Sequence, residues 1–525
     1  MSRKEASSRV TKTLLNVRVN MICYFAAIIV SFFTRKIFLD QLGADFIGLT
    51  TTVNSLLGFL NLAELGVGAS IAYFLYKPLF EKDQDNINEL ISIMGYLYRI
   101  IGLFILVAGI IFSCFLPLIF KQTPFSLPII FYCFYGTLFS SLLGYFANYK
   151  ANTIFSSDQR QYLVTGYFQL TQLTQVILQA ILALKFRSFS LYITIGIIFA
   201  IINSLVINWR FHRVYPWVES SVSRGKVAIK QRPEIMRYVK NVFVHQIGGF
   251  INTSVMPTII YGFASLGIVA LYSNYTLVNS KVQALIGSVM GGSGASVGNL
   301  IAEGDREKIY KTYKEMFSIK FLFVSAMSVI LYKLSSPFIC VWLGQEYVIS
   351  NVLVVLICAD FMLNMLRETT DEFLNGYGLR ADIWVPIARV CSLAVMVLAG
   401  FLWGLVGILA VPVAFQLLVL HSWKPYYLYR SGFQRSILDY VRLLLPNILP
   451  VAMAYVLTLF LLRLVHPFDA MPSAWSVFLV DALCFSLPFA FLAFGFAYGA
   501  NEGIRLFTRR MREYIGNKIN ARRSS

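Results

Sequence analysis

Residues 42–79 have the sequence LGADFIGLTTTVNSLLGFLNLAELGVGASIAYFLYKPL. From Gly48, about thirty mostly apolar residues lead to Lys77 and Pro78, which matches the length and the polar end of a membrane-spanning helix. A carboxylate, Glu64, lies near the middle of this run. An ionisable side chain at that depth costs at least a few kcal/mol unless it faces protein or a water-filled cavity. The stretch therefore predicts a membrane helix that carries an acidic group inside the membrane.

One face of this predicted helix is polar. At about 100° per residue, five positions fall within an arc of roughly 80°. They are Thr50, Asn54, Asn61, Glu64 and Gly68. Such a stripe favours a polar lumen, in which Glu64 would be a pathway or coupling residue. The alternative is a structural Glu64 that is hydrogen-bonded to a neighbouring helix.

The composition of the whole chain agrees with a membrane protein. Of 525 residues, 57% are hydrophobic and 14% are charged, which leaves too little polar surface for a soluble globule. The sequence predicts an all-α integral membrane protein with about fourteen transmembrane spans. We place them at 14–38, 47–76, 90–118, 126–149, 161–184, 189–209, 236–262, 266–299, 315–340, 350–375, 384–403, 406–423, 441–463 and 474–499.

The net charge of +19 is distributed unevenly along the chain. About 35 of the 45 Lys and Arg residues fall in the two tails, in the even-numbered loops or at the adjoining helix ends. The odd-numbered loops hold only Lys121, Lys185 and Arg187. The positive-inside rule therefore predicts that both termini are cytoplasmic. The excess charge mainly sets topology and attracts anionic membrane lipid, so it does not indicate nucleic acid as a partner.

The predicted spans divide into two six-helix lobes, as in MATE-type transporters, plus two C-terminal helices. We predict an N-terminal lobe at 1–210, a basic cytoplasmic linker at 211–234, a C-terminal lobe at 235–425, and spans 13 and 14 with a basic cytoplasmic tail at 426–525. Weak internal similarity supports the division, because GASI at 68–71 recurs as GASV at 294–297. A charged loop follows each copy, and six spans per lobe would give both repeats the same orientation. Chance similarity between two Gly- and Ala-rich helices is the alternative.

Polar stripes recur in other predicted spans and together suggest a cavity between the lobes. Span 1 carries Asn20, Tyr24, Ser31 and Arg35 on one face, and span 5 carries Thr165, Gln169, Gln172 and Gln179. Span 7 has Asn241, His245 and Asn252, span 8 has Asn274, Lys281 and Ser288, and span 10 has Asp360, Asn364, Arg367, Glu368 and Asp371. Amides of this kind offer donors and acceptors to hydroxyl-rich ligands, but they also join membrane helices to one another.

The charged members of these stripes have two interpretations each. Lys281 has no acidic residue in its own span, so it is a candidate contact for an anionic ligand or a partner of a distant carboxylate such as Glu64. In span 10, Arg367 can pair with Asp371 at i+4 or with Asp360, which favours a structural ion-pair network. His245 could titrate near neutral pH and assist proton coupling, or it could be a hydrogen-bonded core residue.

The sequence contains no recognisable catalytic or cofactor motif. The chain has only four histidines and no Walker A sequence, so nothing indicates an enzyme or a metal site. Its seven cysteines are scattered and do not indicate a disulfide framework. We therefore predict a protein that is not an enzyme and that has no cofactor.

Several short motifs resemble one known family. The order LG, GL, Asn54, AELG and LYKPL, then Asp83 and the YxYR of Tyr96 to Arg99, resembles the polysaccharide transporters of the MOP flippase superfamily, and most of all the Wzx-type flippases of O-antigen and capsule pathways. The loop at 148–163 is similar to the family's YxxxLLxAxQK loop, and GASVGNLIAEGD at 294–305 also matches. Residues 154–156, Ile-Phe-Ser, depart from the family's usual Leu or Ala there, which weakens the assignment of that loop.

The resemblance covers essentially the whole chain and implies a function. It implies a multi-pass protein of the bacterial inner membrane that moves an undecaprenyl-diphosphate-linked oligosaccharide outward by alternating access, coupled to an H⁺ or Na⁺ gradient. Lys281, Arg35 and Arg389 would attract the diphosphate. Polar side chains would solvate the sugar, and they are Asn54, Asn61, Gln169, Gln172, Asn252 and Asn274. Glu64, His245 and Asp360 would take part in coupling, and a glycan polymerase and a chain-length regulator would be partners.

Other functions fit parts of the same pattern. A lipid II flippase or a teichoic-acid-type flippase would share the fold and the lipid carrier. A MATE-like multidrug exporter would share the fold but would favour an acidic or aromatic cavity, whereas the intramembrane charges here lean basic. A membrane glycan polymerase would need an outward catalytic loop, which the short odd-numbered loops do not provide.

Overall fold

The structure is a computed structural model that describes residues 3–64, 66–158, 160–240, 242–243, 255–290, 294–379, 384–465 and 471–523. Within these ranges the secondary structure is helical, and no strand is present. The predicted all-α class is therefore confirmed.

The helices follow one another with short connections. In the first half they are α1 Arg3–Leu42, α2 Ala44–Leu60, α3 Val67–Glu81, α4 Gln84–Ser113, α5 Leu127–Leu143, α6 Tyr149–Ser157, α7 Gln161–Phe186, α8 Phe189–Val214, α9 Val222–Gln231 and α10 Met256–Phe263. In the second half they are α11 Leu266–Met290, α12 Gly294–Ala302, α13 Arg306–Trp342, α14 Asn351–Gly376, α15 Trp384–Phe415, α16 His421–Tyr427, α17 Ile437–Val465, α18 Trp475–Ala500 and α19 Glu502–Arg523. The backbone is also helical at 233–240 and 242–243.

Shorter helical segments complete the order. Asn61–Glu64 and Gln345–Tyr347 are 3-10 turns, and Leu116–Ile119 is one α-helical turn. Gly144–Asn148, Gln416–Leu420 and Leu428–Phe433 are π-helical. The first π-helical segment joins α5 to α6 without a break.

Nine helical segments of the described chain are long and apolar enough to cross a membrane. Eight of them coincide with predicted spans 1, 3, 4, 5, 6, 9, 13 and 14. The ninth, Trp384–Phe433, contains the predicted spans 11 and 12. It bends at Gly404, where φ is 57° and ψ is −140°, and a methyl group at Gly407 would overlap the carbonyl oxygen of Ala399. Residues eight apart in a straight helix are about 12 Å apart, so the chain turns back between the two predicted spans.

Span 2 is not the continuous helix that we predicted for 47–76. Helix α2 ends at Leu60, the 3-10 turn Asn61–Glu64 follows, and α3 begins at Val67. Gly66 has φ 95°, a left-handed conformation that other residues rarely adopt. A Cβ atom at Gly66 would also lie 2.9 Å from the backbone nitrogen of Phe243. The break is therefore stabilised by close packing against a segment distant in sequence.

The remaining predicted spans are less complete. Span 10 forms as α14, whose charged side chains keep it out of the nine apolar segments. Span 8 forms as α11 and α12. In span 7, α10 is present, and residues 241 and 244–254 lie outside the described residues.

Internal contacts divide the chain into two compact units, Met1–Ser273 and Asn274–Ser525. In the first unit, α1 packs on α7, α7 and α5 pack on α8, and α4 packs against α3 and α9. In the second, α13 is central and contacts α14, α17, α18 and α19, while α17 and α18 form a closely packed pair. The predicted lobe boundaries at 210 and 235 remain predictions.

The two segments that the sequence analysis matched have the same local structure. Lys82 (φ 60°) precedes Asp83, which caps α4 by accepting a hydrogen bond from the backbone of Asn86 at 3.1 Å. Gly304 (φ 80°) precedes Asp305, which caps α13 through the backbone of Lys308, also at 3.1 Å. This shared arrangement supports an internal repeat.

Candidate functional site

The candidate site is the break between α2 and α3, where Glu64 lies at the end of the 3-10 turn. Its carboxylate accepts two hydrogen bonds from phenol groups. Tyr98 Oη of α4 donates to Oε1 at 2.7 Å, and Tyr145 Oη donates to Oε2 at 3.0 Å. Both tyrosines are 4% exposed, and Glu64 is partly buried. The acidic group that the sequence placed at mid-membrane is therefore held by two neighbouring helices.

Asn61 belongs to the same cluster. Its Oδ1 atom accepts from Tyr145 Oη at 3.0 Å and from Ser141 Oγ at 3.1 Å. A phenol has one proton, so Tyr145 shares it between Asn61 and Glu64 or alternates between them. We call these five residues, Asn61, Glu64, Tyr98, Ser141 and Tyr145, the Glu64 cluster.

The π-helical segment Gly144–Asn148 places Tyr145 in this cluster. A π-helical turn adds a residue to the helix and changes the direction of the side chains that follow, and such turns are frequent at functional sites. The ring centroid of Tyr98 lies 5.7 Å from that of Tyr145 and 5.8 Å from that of Tyr149, so Tyr98 contacts both of the other rings.

The chemistry of the Glu64 cluster depends on the ionisation of one carboxylate. An ionised carboxylate only accepts hydrogen bonds, which suits two phenol donors. A proton on Glu64 would convert an acceptor into an O–H donor, and the present pattern of bonds could not persist unchanged. A change in the ionisation of Glu64 would therefore change its bonds to α4 and to the π-helical segment Gly144–Asn148.

The rest of the predicted span 2 stripe is separate from the cluster. Asn54 Nδ2 donates to the carbonyl of Thr50 at 2.8 Å, and Thr50 Oγ1 donates to the carbonyl of Ile47 at 3.0 Å. Asn54 is exposed. The structure thus brings Asn61 and Glu64 together and leaves Thr50 and Asn54 bonded within α2.

Other predicted residues of the first unit join helices to one another. Arg35 Nη2 of α1 donates to Ser273 Oγ of α11 at 2.5 Å. Gln179 is 3% exposed and donates to the carbonyl of Tyr192 at 2.8 Å, which confirms helix packing for that amide. Gln169 and Gln172 are partly buried on α7.

Span 8 places Asn274 and Lys281 on α11, where Asn274 is fully buried and Lys281 is partly buried. Asn252 and His245 lie outside the described residues. The structure therefore gives no position for these two predicted residues.

In the second unit, Asp360 and Arg389 lie in one polar cluster. Asp360 accepts from Gln416 Nε2 at 2.7 Å and from Asn364 Nδ2 at 3.1 Å. Arg389 is 6% exposed, lies 4.9 Å from the ring centroid of Phe415, and interacts electrostatically with Asp360. Burial of the two opposite charges together reduces the cost of each.

The C-terminal half of α14 carries the ion pairs that the sequence analysis gave as one alternative. Arg367 Nε lies 3.0 Å from Asp371 Oδ2, and Lys424 also bonds Asp371. Lys320 Nζ of α13 lies 2.8 Å from Glu368 Oε2. The predicted Arg367–Asp371 pair is confirmed.

Sequence reasoning missed four residues of these clusters as site residues: Tyr98, Ser141, Tyr145 and Gln416. Tyr98 is part of the YxYR motif, which was a usable signal. Tyr145 and Gln416 both lie in or beside π-helical segments, where simple helical phase does not predict side-chain direction. In the described ranges no group of three or more His, Cys, Asp or Glu residues could hold a metal ion.

Comparison with known proteins places this geometry in a known fold. No protein-family model and no curated protein sequence matches the chain. A solved structure of the lipid II flippase MurJ in an inward closed conformation is similar with a TM-score of 0.64 and 14% identity, covering 92% of this chain and 99% of that one.

Two MATE transporter structures share the fold over a smaller part of the chain. An inward-facing MATE family transporter of the MOP superfamily has a TM-score of 0.55 and 13% identity, covering 80% of this chain and 99% of that one. A point mutant of the Vibrio cholerae MATE transporter VcmN has a TM-score of 0.51 and 13% identity, with 81% and 99% coverage. The chain is thus a multi-pass membrane protein with the fold of MOP-superfamily transporters.

Proposed function

We propose that the chain is a flippase that moves a polyprenyl-diphosphate-linked oligosaccharide repeat unit across the bacterial inner membrane by alternating access. The observation that carries the proposal is the likeness to a lipid II flippase over 92% of the chain. The MATE structure covers 80%.

The repeat-unit substrate is supported by the residues around the Glu64 cluster. Glu64 lies within the AELG motif that resembles Wzx-type flippases, and Asn61 lies next to it. In this proposal Glu64 is the coupling residue for H⁺ or Na⁺, because its carboxylate holds α4 and α5 to the α2–α3 break. Asp360, with its amide donors, would be a second coupling residue in the other unit, and His245 stays a sequence prediction.

The ligand contacts are proposed from charge and depth. Lys281 would contact the diphosphate, and Arg35 and Arg389 would add positive potential although each already bonds or attracts a protein group. Asn54, Gln169 and Gln172 are exposed or partly exposed and would bond sugar hydroxyls, and the partly buried Asn61 would join them. Asn252 stays a sequence prediction, and the fully buried Asn274 would not contact a ligand in this conformation. Both termini would be cytoplasmic, and a polymerase and a chain-length regulator would act on the product.

A lipid II flippase is the second candidate, and the likeness to MurJ is the specific observation that favours it. The two functions share the lipid diphosphate and differ in the sugar. Rescue of cells depleted of their lipid II flippase would support the second candidate, and failure of that rescue together with loss of surface polysaccharide would support the first.

The decisive experiment compares surface polysaccharide in cells that carry the wild type, Glu64→Gln or Lys281→Ala, with abundance checked by blotting. Glu81→Gln and Lys77→Ala are matched controls, because both side chains are exposed at the end of α3 and pair with each other. We expect the two test variants to accumulate normally, to lose surface glycan and to build up lipid-linked repeat units. Normal display by both would remove Glu64 and Lys281 from the mechanism.

Deletion of the gene tests the assignment itself. A normal amount of surface polysaccharide in the deletion strain would overturn the proposed substrate assignment. Single repeat units on the surface without long chains would point to a membrane glycan polymerase instead.

A further inference from the structure

The predicted linker at 211–234 is attached to the first unit along most of its length. Asn88 of α4 binds its backbone twice, donating to the carbonyl of Trp217 at 3.4 Å and accepting from the amide of Glu219 at 3.0 Å. The amide of Ser221 donates to Ser92 Oγ, also of α4, at 3.2 Å. We call residues 215–232 the strap.

Helix α9 within the strap lies directly on α4. A methyl group at Gly225 would overlap the carbonyl oxygen of Ser92, so the two backbones touch there. Arg232 Nε at the end of the strap lies 2.9 Å from Glu89 Oε1. The strap is therefore bound to α4 at both of its ends and in its middle.

A short series of side chains leads from the strap to Glu64. Ser220 Oγ lies 3.0 Å from Tyr149 Oη. The ring of Tyr149 stacks on Tyr98 at 5.8 Å and 21°, and Tyr98 donates to Glu64. Gly95 leaves room for this contact, because a Cβ atom there would lie 2.7 Å from Tyr149 Oη and 2.9 Å from Ser220 Oγ.

The segment that follows the strap contacts the other side of the same break. Tyr238 stacks on Tyr73 of α3 at 4.9 Å and 12°. The backbone of Phe243 closes on Gly66, two residues after Glu64. The strap thus touches α4, and the start of the predicted span 7 touches α3 and Gly66, on either side of Glu64.

We propose that the strap, through Ser220 and Tyr149, holds Tyr98 in position to bind Glu64, so that Ser220 and Tyr149 are positioning residues of the coupling site. The description of Glu64 as a coupling residue rests on the proposed function, whereas the mechanical link does not. Coupling between two sites is reciprocal, so a change at Glu64 alters the attachment of the strap as much as release of the strap alters Glu64.

Amide hydrogen exchange on the full-length protein in nanodiscs measures this link without any substrate. In Glu64→Gln and in Tyr149→Phe we expect the amides of Glu219 and Ser221 to exchange about fivefold faster than in the wild type, as for loss of one hydrogen bond. Tyr132→Phe is the matched control, since it removes a phenol that bonds Thr194 at 2.8 Å, on α5 and outside the Glu64 cluster. Unchanged exchange in both test variants overturns the proposal.

Gly225→Ala tests the consequence for transport. It forces the strap away from α4 without removing a polar group, whereas Gly499→Ala adds the same methyl group where nothing lies within 4 Å. We expect Gly225→Ala to accumulate normally and to lose most surface glycan, and Gly499→Ala to retain it. Ser220→Ala serves as the milder variant if Gly225→Ala fails to accumulate.

The outcomes separate the two proposals. Faster strap exchange in Gly225→Ala or Ser220→Ala with normal glycan display overturns the positioning role and leaves the flippase function standing. A gene deletion without any effect on surface glycan overturns the flippase function. Amide exchange in Glu64→Gln and Tyr149→Phe then still tests whether Glu64 and the strap are linked.

Discussion

Tyr145 is the side chain on which the geometry of the Glu64 cluster depends. Its single hydroxyl lies 3.0 Å from both Asn61 Oδ1 and Glu64 Oε2. Hydrogen bonds to charged groups contribute about 1.5–3 kcal/mol, roughly twice the value for neutral pairs. Removal of this hydroxyl leaves two partly buried acceptors, each with one donor fewer.

We predict that Tyr145→Phe lowers the free energy of unfolding by about 1–3 kcal/mol and reduces transport. The ring is kept, so packing against Tyr98 is unaffected. Thermal unfolding in detergent, with Tyr132→Phe as the control, measures the loss. In a double-mutant cycle with Glu64→Gln, the combined loss should be smaller than the sum of the two, because both variants break the same bond. Strictly additive losses would contradict a shared hydrogen bond.

At the residue scale, the sequence indicated Glu64 because a carboxylate in a long apolar run is rare and costly. It did not indicate Tyr145, because a tyrosine in a membrane helix has the same pattern whether it packs, faces lipid or bonds a charge. The partner of a buried group is determined by tertiary contacts between helices distant in sequence. The same reason explains why Gln416 was missed beside Asp360.

The helix caps of α4 and α13 show what local sequence determines at the scale of one element. Asp83 and Asp305 each accept a backbone hydrogen bond three residues on, and each follows a left-handed residue. Loss of a helix N-cap of this type costs about 1 kcal/mol.

We predict that Asp83→Ala and Asp305→Ala each lower the free energy of unfolding by about 1 kcal/mol, and by similar amounts, because the two caps have the same geometry. Asp83→Asn and Asp305→Asn are the matched controls, since asparagine also accepts the capping bond. Thermal unfolding of the four variants measures the effect. A loss at one cap only would contradict the equivalence of the two segments.

The break between α2 and α3 shows where local sequence is insufficient. A single glycine in an apolar helical pattern is ordinarily tolerated, so Gly66 did not predict a break in the helix. The close approach of Phe243, more than 170 residues later in the chain, requires both the absence of a Cβ atom and the positive φ. The spacing of residues along the sequence does not predict a common face when the helix is broken between them. The predicted stripe therefore divides into Thr50 and Asn54 on α2 and Asn61 and Glu64 in the Glu64 cluster.

At the scale of the whole molecule, hydrophobic length and charge distribution carried most of the prediction. The nine apolar segments in the described ranges all coincide with predicted spans. The attachment of the predicted linker to α4 was not predictable, because the strap is polar and basic, and such composition is typical of a solvated loop.

The membrane orientation is tested by cysteine labelling in a variant that lacks the seven native cysteines. Lys121 and Lys226 are both exposed and lie in an odd-numbered and an even-numbered loop, respectively. We predict that a membrane-impermeant maleimide labels Lys121→Cys in intact cells and labels Lys226→Cys only after permeabilisation. The reverse pattern would invert the topology and place both termini outside the cytoplasm.

The contact of α19 with α13 joins residues that are synthesised at different times. Glu315 of α13 is 3% exposed and lies 3.1 Å from Arg510 of α19. Arg510 follows Glu315 by 195 residues, so Glu315 is synthesised well before its partner. A ribosome that stalls after Ala500 would release a chain whose buried carboxylate lacks this arginine, at a cost of several kcal/mol. We therefore expect a chain that stops before α19 to be less stable than one that contains it.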